Sequence, residues 1–332
     1  MENIVLSAAQ ATPVFLDRAA TINKACDLMA TAAGKGAKLI VFPEAFVPCY
    51  PDWVWVIPPN QNKLLADLYG RLVDQSMTIP GPDTEKLCRA ARLANIHVVI
   101  GVNERNTDAS GSSLYNSILY ISNEGTLLGK HRKLVPTAAE RMIWAQGDGS
   151  TLEVYDTPFG KLGGLICWEN YMPLARYAMY AQGTQIYIAA TWDSGEPWLS
   201  TLRHIAKEGR VFVIGCCSPV TLNDIPDLFE HKKLYPAKKD EWINVGDSAI
   251  VDPDGKFIAG PLNCKEDIIY AEINLHYSTD SRWKLDVAGH YSRPDVFQLT
   301  INRQPHYQMR ETIPVLGTKA IPQLSLPQEH LK

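Results

Sequence analysis

Long apolar runs are missing from this sequence. No stretch approaches the roughly 18 uninterrupted apolar residues of a membrane-spanning helix, and Met1-Glu2-Asn3-Ile4-Val5-Leu6 has neither the basic start nor the long apolar core of a secretory leader. Both absences predict a cytoplasmic protein with no membrane partner. An excess of one charge is missing too: 32 basic against 36 acidic residues leave −4, which gives no surface for a polyanion and excludes nucleic acid as a partner. There is no C-x-x-C pair and no pair of histidines four apart, so short-range spacing encodes no metal site. The 7 cysteines, at positions 26, 49, 88, 167, 216, 217 and 264, are odd in number and irregular in spacing, which fits reduced thiols and not a disulfide framework. No Gly-x-Ser-x-Gly elbow occurs, which removes serine hydrolase chemistry. Gly34-Lys35-Gly36 follows a helical pattern instead of a strand, and Gly125 to Lys130 lacks P-loop spacing, so neither binds a nucleotide.

What is present is an alternation of short apolar runs with helical stripes. At 332 residues the chain is long enough for a substantial core. Ile4 to Ala9 predicts a strand, and Ile22, Ala25, Cys26, Met29, Ala30 and Ala33 recur at helical spacing until Gly34 and Gly36. Strand Lys38 to Phe42 follows, then a helix opened by Pro82-Asp83, strand His97 to Val102, and paired strands Leu114 to Ile121 and Thr126 to His131 around Asn123-Glu124-Gly125. The second half repeats the order. Strand Leu162 to Ile166, a helix begun by Pro173, strand Gln185 to Ala190, a helix with Trp198, Leu202, Ile205 and Ala206 on one face, and strand Val211 to Cys216 lead to a hairpin at Asp252-Pro253-Asp254-Gly255 and a last strand, Ile268 to Ile273. Two similar mixed sheets, each covered by helices on one face, would pack as an α-β-β-α four-layer sandwich. Residues 1–300 are expected to form one domain and 301–332 a C-terminal arm, disordered or docked at an oligomer interface. The aromatic and proline-rich stretch Pro48 to Pro80 and the charged stretch Leu222 to Trp242 are expected as surface excursions that shape a pocket or a contact.

Three ionisable residues stand where an apolar strand gives way to a loop. Cys167 ends Gly163-Gly164-Leu165-Ile166, Glu44 follows Val41-Phe42-Pro43, and Lys133 follows the second strand of the first hairpin. Such exits converge over one sheet edge in layered α/β folds, where sites form. Each has a plain structural reading as well: a buried thiol, a solvated strand-end carboxylate, and one member of a basic turn.

Together the three stretches resemble the nitrilase superfamily of carbon–nitrogen hydrolases. Val41-Phe42-Pro43-Glu44 is similar to its glutamate motif, Arg132-Lys133-Leu134-Val135-Pro136-Thr137 to its lysine motif, and Cys167-Trp168-Glu169 to its cysteine motif. The resemblance runs from about Ile4 to Gln298. It implies an α-β-β-α sandwich, Glu44 as general base, Lys133 as electrostatic stabiliser, Cys167 as nucleophile, the backbone N–H of Trp168 as an oxyanion donor and no cofactor. Glu140, in Thr137-Ala138-Ala139-Glu140-Arg141, matches a further family glutamate; a helix-surface carboxylate paired with Arg141 or Arg132 fits the same residues. Cys167-Trp168-Glu169-Asn170-Tyr171-Met172-Pro173, Pro48-Cys49-Tyr50-Pro51-Asp52-Trp53, Trp144-Ala145-Gln146-Gly147-Asp148-Gly149 and Gly289-His290-Tyr291-Ser292-Arg293-Pro294-Asp295 resemble the nitrilase branch, implying hydrolysis of a small-molecule nitrile to acid and ammonia. An amidase, a carbamoylase or an enzyme hydrating cyanide would share the site, and a catalytically silent scaffold would share the fold. The resemblance also implies a homodimer extending to a larger oligomer or helical filament.

The residues themselves support the roles. A free thiol near pKa 8.5 is only a few per cent thiolate at neutral pH, so a nucleophilic cysteine needs a base or a cation beside it. Glu44 and Lys133 supply one of each. Tyr50, Trp53, Trp144 and Trp192 are candidates for an apolar pocket wall. His290 is a candidate to reach the site from the C-terminal side. Glu169 is expected to fix the turn after Cys167 or pair with an arginine, and Asn170 to cap the next helix.

Overall fold

The structure, a computed structural model, describes residues 3–238 and 241–307. In chain order the elements are β1 (Ile4–Gln10), α1 (Arg18–Gly34), β2 (Ala37–Val41), α2 (Asn62–Gln75), α3 (Pro82–Ala94), β3 (His97–Arg105), β4 (Leu114–Ile121) and β5 (Leu127–Arg132). The second half continues with β6 (Tyr155–Thr157), β7 (Gly160–Ile166), α4 (Pro173–Ala181), β8 (Ile186–Thr191), α5 (Glu196–Gly209), β9 (Phe212–Cys217), β10 (Val220–Thr221), β11 (Trp242–Asn244), β12 (Gly246–Val251), β13 (Phe257–Asn263), β14 (Asp267–Ile273) and α6 (His276–Arg282). Local chemistry sets several boundaries. The Asp17 side chain accepts from the Ala20 N–H and caps α1, which starts earlier than its apolar stripe, and Gly36 takes the left-handed conformation just past its end. Pro82 opens α3, and Asn95 closes it in the left-handed region that Asn tolerates.

Two six-stranded sheets result, in the orders β14-β1-β2-β3-β4-β5 and β13-β12-β9-β8-β7-β6. In each, three strands run parallel in the middle and antiparallel partners extend the edges, so both are mixed. Alternation along the central strands builds the layers. Leu39 and Val41 of β2 face Ile186, Ile188 and Ala190 of β8 in the core between the sheets, whereas Ile40 faces α1 and α3. Tyr187 and Ala189 face α4 and α5. The helix-sheet-sheet-helix sandwich expected from element order is the one observed.

The excursions are more structured than their composition implies. Residues 48–80 hold a 3-10 turn (Asp52–Trp55) and α2, and Tyr50, Trp53, Val54, Ile57, Leu68 and Leu72 are buried in a fourth core with Phe15 and Trp144. The aromatics that read as a surface stretch supply the bulk of that core. Residues 222–238 fold over it, with His231 and Tyr235 buried against Trp53 and Phe229. At the C-terminal end, Ile301 packs on the outer core, Arg303 pairs with Glu153, and the His306 N–H donates to Asp148. Residues 301–307 therefore dock on their own chain, and the rest of the expected arm lies outside the described residues.

Burial in this fourth core disfavours the charge of one acid. Asp52 is buried with Oδ2 unpartnered, facing Tyr235, and loss of solvation pushes its carboxyl up from 3.8 to about 7. A carboxyl raised on folding contributes stability below its ordinary value and loses it as pH rises through the folded value. Asp52→Asn is therefore expected to melt above the wild type at about pH 8, by ~2–4 °C for each kcal/mol regained, with the difference vanishing as pH falls to the ordinary carboxyl range. Thermal melts of both proteins across pH check this.

Candidate active site

Cys167 ends β7 in the core between the sheets, buried, and adopts φ 51 at the start of a 3-10 turn, Cys167–Tyr171. A non-glycine residue held in that region signals a turn over-determined by its surroundings. Glu169 supplies the determination. Its buried carboxylate accepts from the Ile166 N–H at 2.7 Å and the Leu134 N–H at 2.6 Å, and faces His131 Nε2 at 3.1 Å. Burial would raise its carboxyl, but His131 and the two backbone donors hold it below the ordinary value. Glu169 thus fixes the turn with a histidine as partner, not an arginine. The same carboxylate joins the exit of β7 to the exit of β5 and brings Lys133 opposite Cys167. Asn170 does not cap α4; its Nδ2 donates to the Cys167 carbonyl at 2.8 Å, and its Oδ1 accepts from Tyr187 at 2.9 Å. Glycine at 164 permits this placement, because a Cβ there would lie 2.0 Å from the Ile188 carbonyl oxygen on β8.

Glu44 reaches the same point from the other sheet. The Phe42 N–H donates to Val99 and the Val47 N–H to Gly101, which straps the loop after β2 onto β3. That contact requires a glycine at 101, where a Cβ would lie 2.1 Å from the Pro43 carbonyl oxygen. Glu44 Oε1 accepts from Lys133 Nζ at 2.8 Å and from Asn116 Nδ2 at 2.7 Å, while Oε2 is buried with no partner. Lys133 Nζ also donates to Glu140 Oε2 at 2.7 Å. Glu140 is buried, caps its own 3-10 turn by accepting from the Thr137 N–H, and Oε1 accepts from the Tyr50 hydroxyl at 2.7 Å. The surface pairing with Arg141 or Arg132 does not form; Arg132 pairs with Glu104.

Charge follows from this packing. Burial pushes the Glu44 carboxyl up, the Lys133 ammonium pulls it back, Glu140 pushes again, and the net direction is up. Burial alone would lower Lys133, yet Glu44, Cys167 and Glu140 together hold it well above the ordinary lysine value, so it stays an ammonium. Burial and the Glu44 charge hold the Cys167 thiol far above its usual value, with Lys133 and a hydrogen bond from Thr191 opposing. The resting group is therefore a protonated thiol beside a carboxylate with a free oxygen and a fixed ammonium.

The remaining candidates divide. The Tyr50 ring stacks on Trp192 at 4.5 Å between centroids and meets Trp144 edge-on at 5.6 Å; Trp144 lies 5.8 Å from Lys133 Nζ. These three belong to the site. Trp168 is half-exposed, and its Nε1 donates to Asp193 Oδ2 at 2.8 Å, which leaves its ring at the surface beside the cysteine turn. Trp53 is not brought to the group: it is fully buried among Phe15, His231 and the fourth core. His290 is exposed, in a segment whose neighbours pack on the outside of α4, so it does not reach Cys167 in this chain. Sequence reasoning passed over Asn116, whose signal is a lone amide inside the apolar strand Leu114–Ile121, and Asn103, which accepts from Trp144 Nε1. Among the described residues no group of three or more His, Cys, Asp or Glu is arranged to hold a metal. A groove of about 650 Å³ between α2 and residues 228–231 contains none of the clustered residues.

The model of the carbon-nitrogen hydrolase family matches residues 5–282. An aliphatic nitrilase of Sinorhizobium fredii (strain HH103) is 41% identical over 302 residues, covering 89% of this chain and 94% of that one. Nitrilase 2 of Arabidopsis thaliana is 42% identical over 301 residues, covering 89% and 88%. Among solved structures, a carbon-nitrogen hydrolase from Helicobacter pylori G27 superposes with a TM-score of 0.67 at 21% identity, covering 89% of this chain and 97% of that chain, a likeness of fold. With the family model spanning most of the chain and relatives above 40% identity over nearly nine-tenths of it, this protein belongs to the carbon-nitrogen hydrolase family.

Proposed function

We propose that the chain is a nitrilase, converting a nitrile and two waters to a carboxylic acid and ammonia, with Cys167 as nucleophile, Glu44 as general base and acid, and Lys133 and Glu140 as the fixed charges around them. The observation that carries the reading is the unpartnered, buried Oε2 of Glu44 in a group where every other carboxylate oxygen is occupied. That oxygen is free to take the Cys167 proton. Sulfur then bonds to the nitrile carbon, the proton passes to nitrogen, and a thioimidate forms. Water adds to the imidate carbon, and Glu44 carries both of its protons in turn to the nitrogen; the C–N bond breaks as the remaining oxygen becomes a carbonyl, and ammonia leaves a thioester. A second water, deprotonated the same way, displaces the thiol and completes the acid. Negative charge at the reacting carbon's substituents is met by the Lys133 ammonium and the N–H of Trp168. None of these steps calls for a cofactor. Kinship to proteins named nitrilases at 40% identity and above supports the nitrile over the amide as substrate.

Self-association belongs to the same reading. Leu174, Tyr291 and Phe297 are exposed around a groove of about 390 Å³ between α4 and residues 287–299, an apolar surface suited to a second copy of the chain.

Cys167→Ala is expected to abolish ammonia release from a nitrile panel while melting near the wild type; retained turnover would sink the proposal. Amides and cyanide run in parallel discriminate the related activities, and product analysis gives the acid-to-amide ratio. A second expectation concerns pH. The base must be ionised to act, and burial raises Glu44, so kcat/KM should fall with acid along a limb centred above the ordinary glutamate value of 4.5. Glu44→Gln should lose roughly 10²–10⁴-fold in kcat. A limb at or below the ordinary value would contradict the assignment of the base.

A further inference from the structure

The Tyr50 hydroxyl has a second neighbour that the proposed chemistry does not use. Trp55, at the end of the 3-10 turn Asp52–Trp55, is 48% exposed, and its Nε1 donates to Tyr50 Oη at 3.1 Å. An indole N–H can only donate, and a phenol has one proton. Tyr50 therefore accepts from Trp55 and must donate to Glu140 Oε1, at 2.7 Å. Burial, with the negative charges of Glu140 and Glu44 behind it, raises Tyr50 well above the ordinary phenol value, so the proton stays on Tyr50.

The direction imposed at Trp55 passes inward. Glu140 has both oxygens committed, Oε1 to Tyr50 and Oε2 to Lys133 and the Thr137 N–H. It serves as an acceptor at both and has no position left from which to donate. Lys133 has three ammonium hydrogens, and Glu44 and Glu140 take two of them. The third has no carboxylate partner, and the electrostatic coupling between Lys133 and Cys167 makes the cysteine the neighbour at which a new negative charge would draw it. Where that third hydrogen points depends on where Glu140 sits. The ring of Tyr50 is held flat on Trp192 at an interplanar angle of 4° and edge-on to Trp144, so its hydroxyl has little freedom of its own.

We propose that Trp55 and Tyr50 form a brace, a pair of positioning residues that fixes Glu140 and through it aims the free N–H of Lys133 at the anion formed on attack by Cys167. The brace begins at a surface tryptophan and ends one side chain from the reacting sulfur. It rests on the reading of Cys167 and Lys133 given above, and it adds two residues outside the glutamate, lysine and cysteine motifs.

The test is a double-mutant cycle with Tyr50→Phe, which keeps the stacked ring, and Trp55→Phe, which sits at the surface and leaves the fold intact. Two readouts are taken: steady-state turnover of a nitrile, and the rate of alkylation of Cys167 by iodoacetamide at neutral pH, which needs no substrate. Tyr50→Phe should lower kcat about 10–100-fold and Trp55→Phe about 3–10-fold, each with KM within about 3-fold, because a transition-state contact is lost and not ground-state binding. Cys167 alkylation should slow in the same order. The double variant should match Tyr50→Phe alone, since Trp55 acts only through the Tyr50 hydroxyl. Additive losses, a change confined to KM, or unchanged kcat and alkylation in either single variant would overturn the brace. Slowed alkylation in the variants of a wild type that turns over no nitrile would sink the nitrilase reading and leave the brace standing.

Discussion

A single buried ammonium organises this protein. Lys133 is fully enclosed, and its charge is tolerable only because Glu44 and Glu140 each give it a hydrogen bond below 3 Å. Those two carboxylates are in turn tolerable only because Lys133 lies between them. Any one of the three left alone would be a buried, unpaired charge costing several kcal/mol. The loops that carry them are consequently not free to drift: Glu44 is strapped to β3 over Gly101, Glu140 is locked by its own turn, and Lys133 follows a strand whose edge is tied to the cysteine turn. The stabilising need of the ion triad and the positional need of the proposed chemistry are met by the same contacts.

Much of this was legible in the chain. Glycine and proline punctuation, with apolar runs of strand length between helical stripes, set out both sheets and their covering helices, because burial on two faces leaves an uninterrupted apolar strand that is easy to see. The convergence of Glu44, Lys133 and Cys167 was legible for a related reason: each breaks an apolar run at its end. The partners were not. Asn116 lies inside β4 and touches Glu44 across 72 positions, and Tyr50 meets Glu140 across 90. No local pattern records a contact made by the docking of two loops from different strands.

The misread stretches share a cause. Residues 48–80 are rich in aromatics and proline, a composition that suits a surface loop and equally suits a small separate core, and only the packing partners decide. Phe15, Trp144 and residues 229–235 come from elsewhere in the chain and close over it. Trp53 was drawn toward the site by its neighbour Tyr50, yet Tyr50 precedes the 3-10 turn Asp52–Trp55 and meets Glu140 and Trp192, whereas Trp53 lies inside that turn and meets Phe15 and His231. His290 stays on the outside of the single chain because the segment after α6 runs over the outer face of α4.

The tie from Glu169 to both Ile166 and Leu134 has a further consequence, for the nascent chain. Cys167 lies in the second half, whereas Glu44 and Lys133, its proposed base and cation, lie in the first, and the two halves meet at this residue. During synthesis β1 to β5 of the first sheet can pair before Cys167 exists, β14 joins their edge later, and the cysteine gains its neighbours only when the second sheet docks. Until that moment it is an ordinary thiol in a polypeptide, with no partner to activate it. The proposed grouping of acid, cation and thiol is thus completed last, together with the shelter of the finished interior.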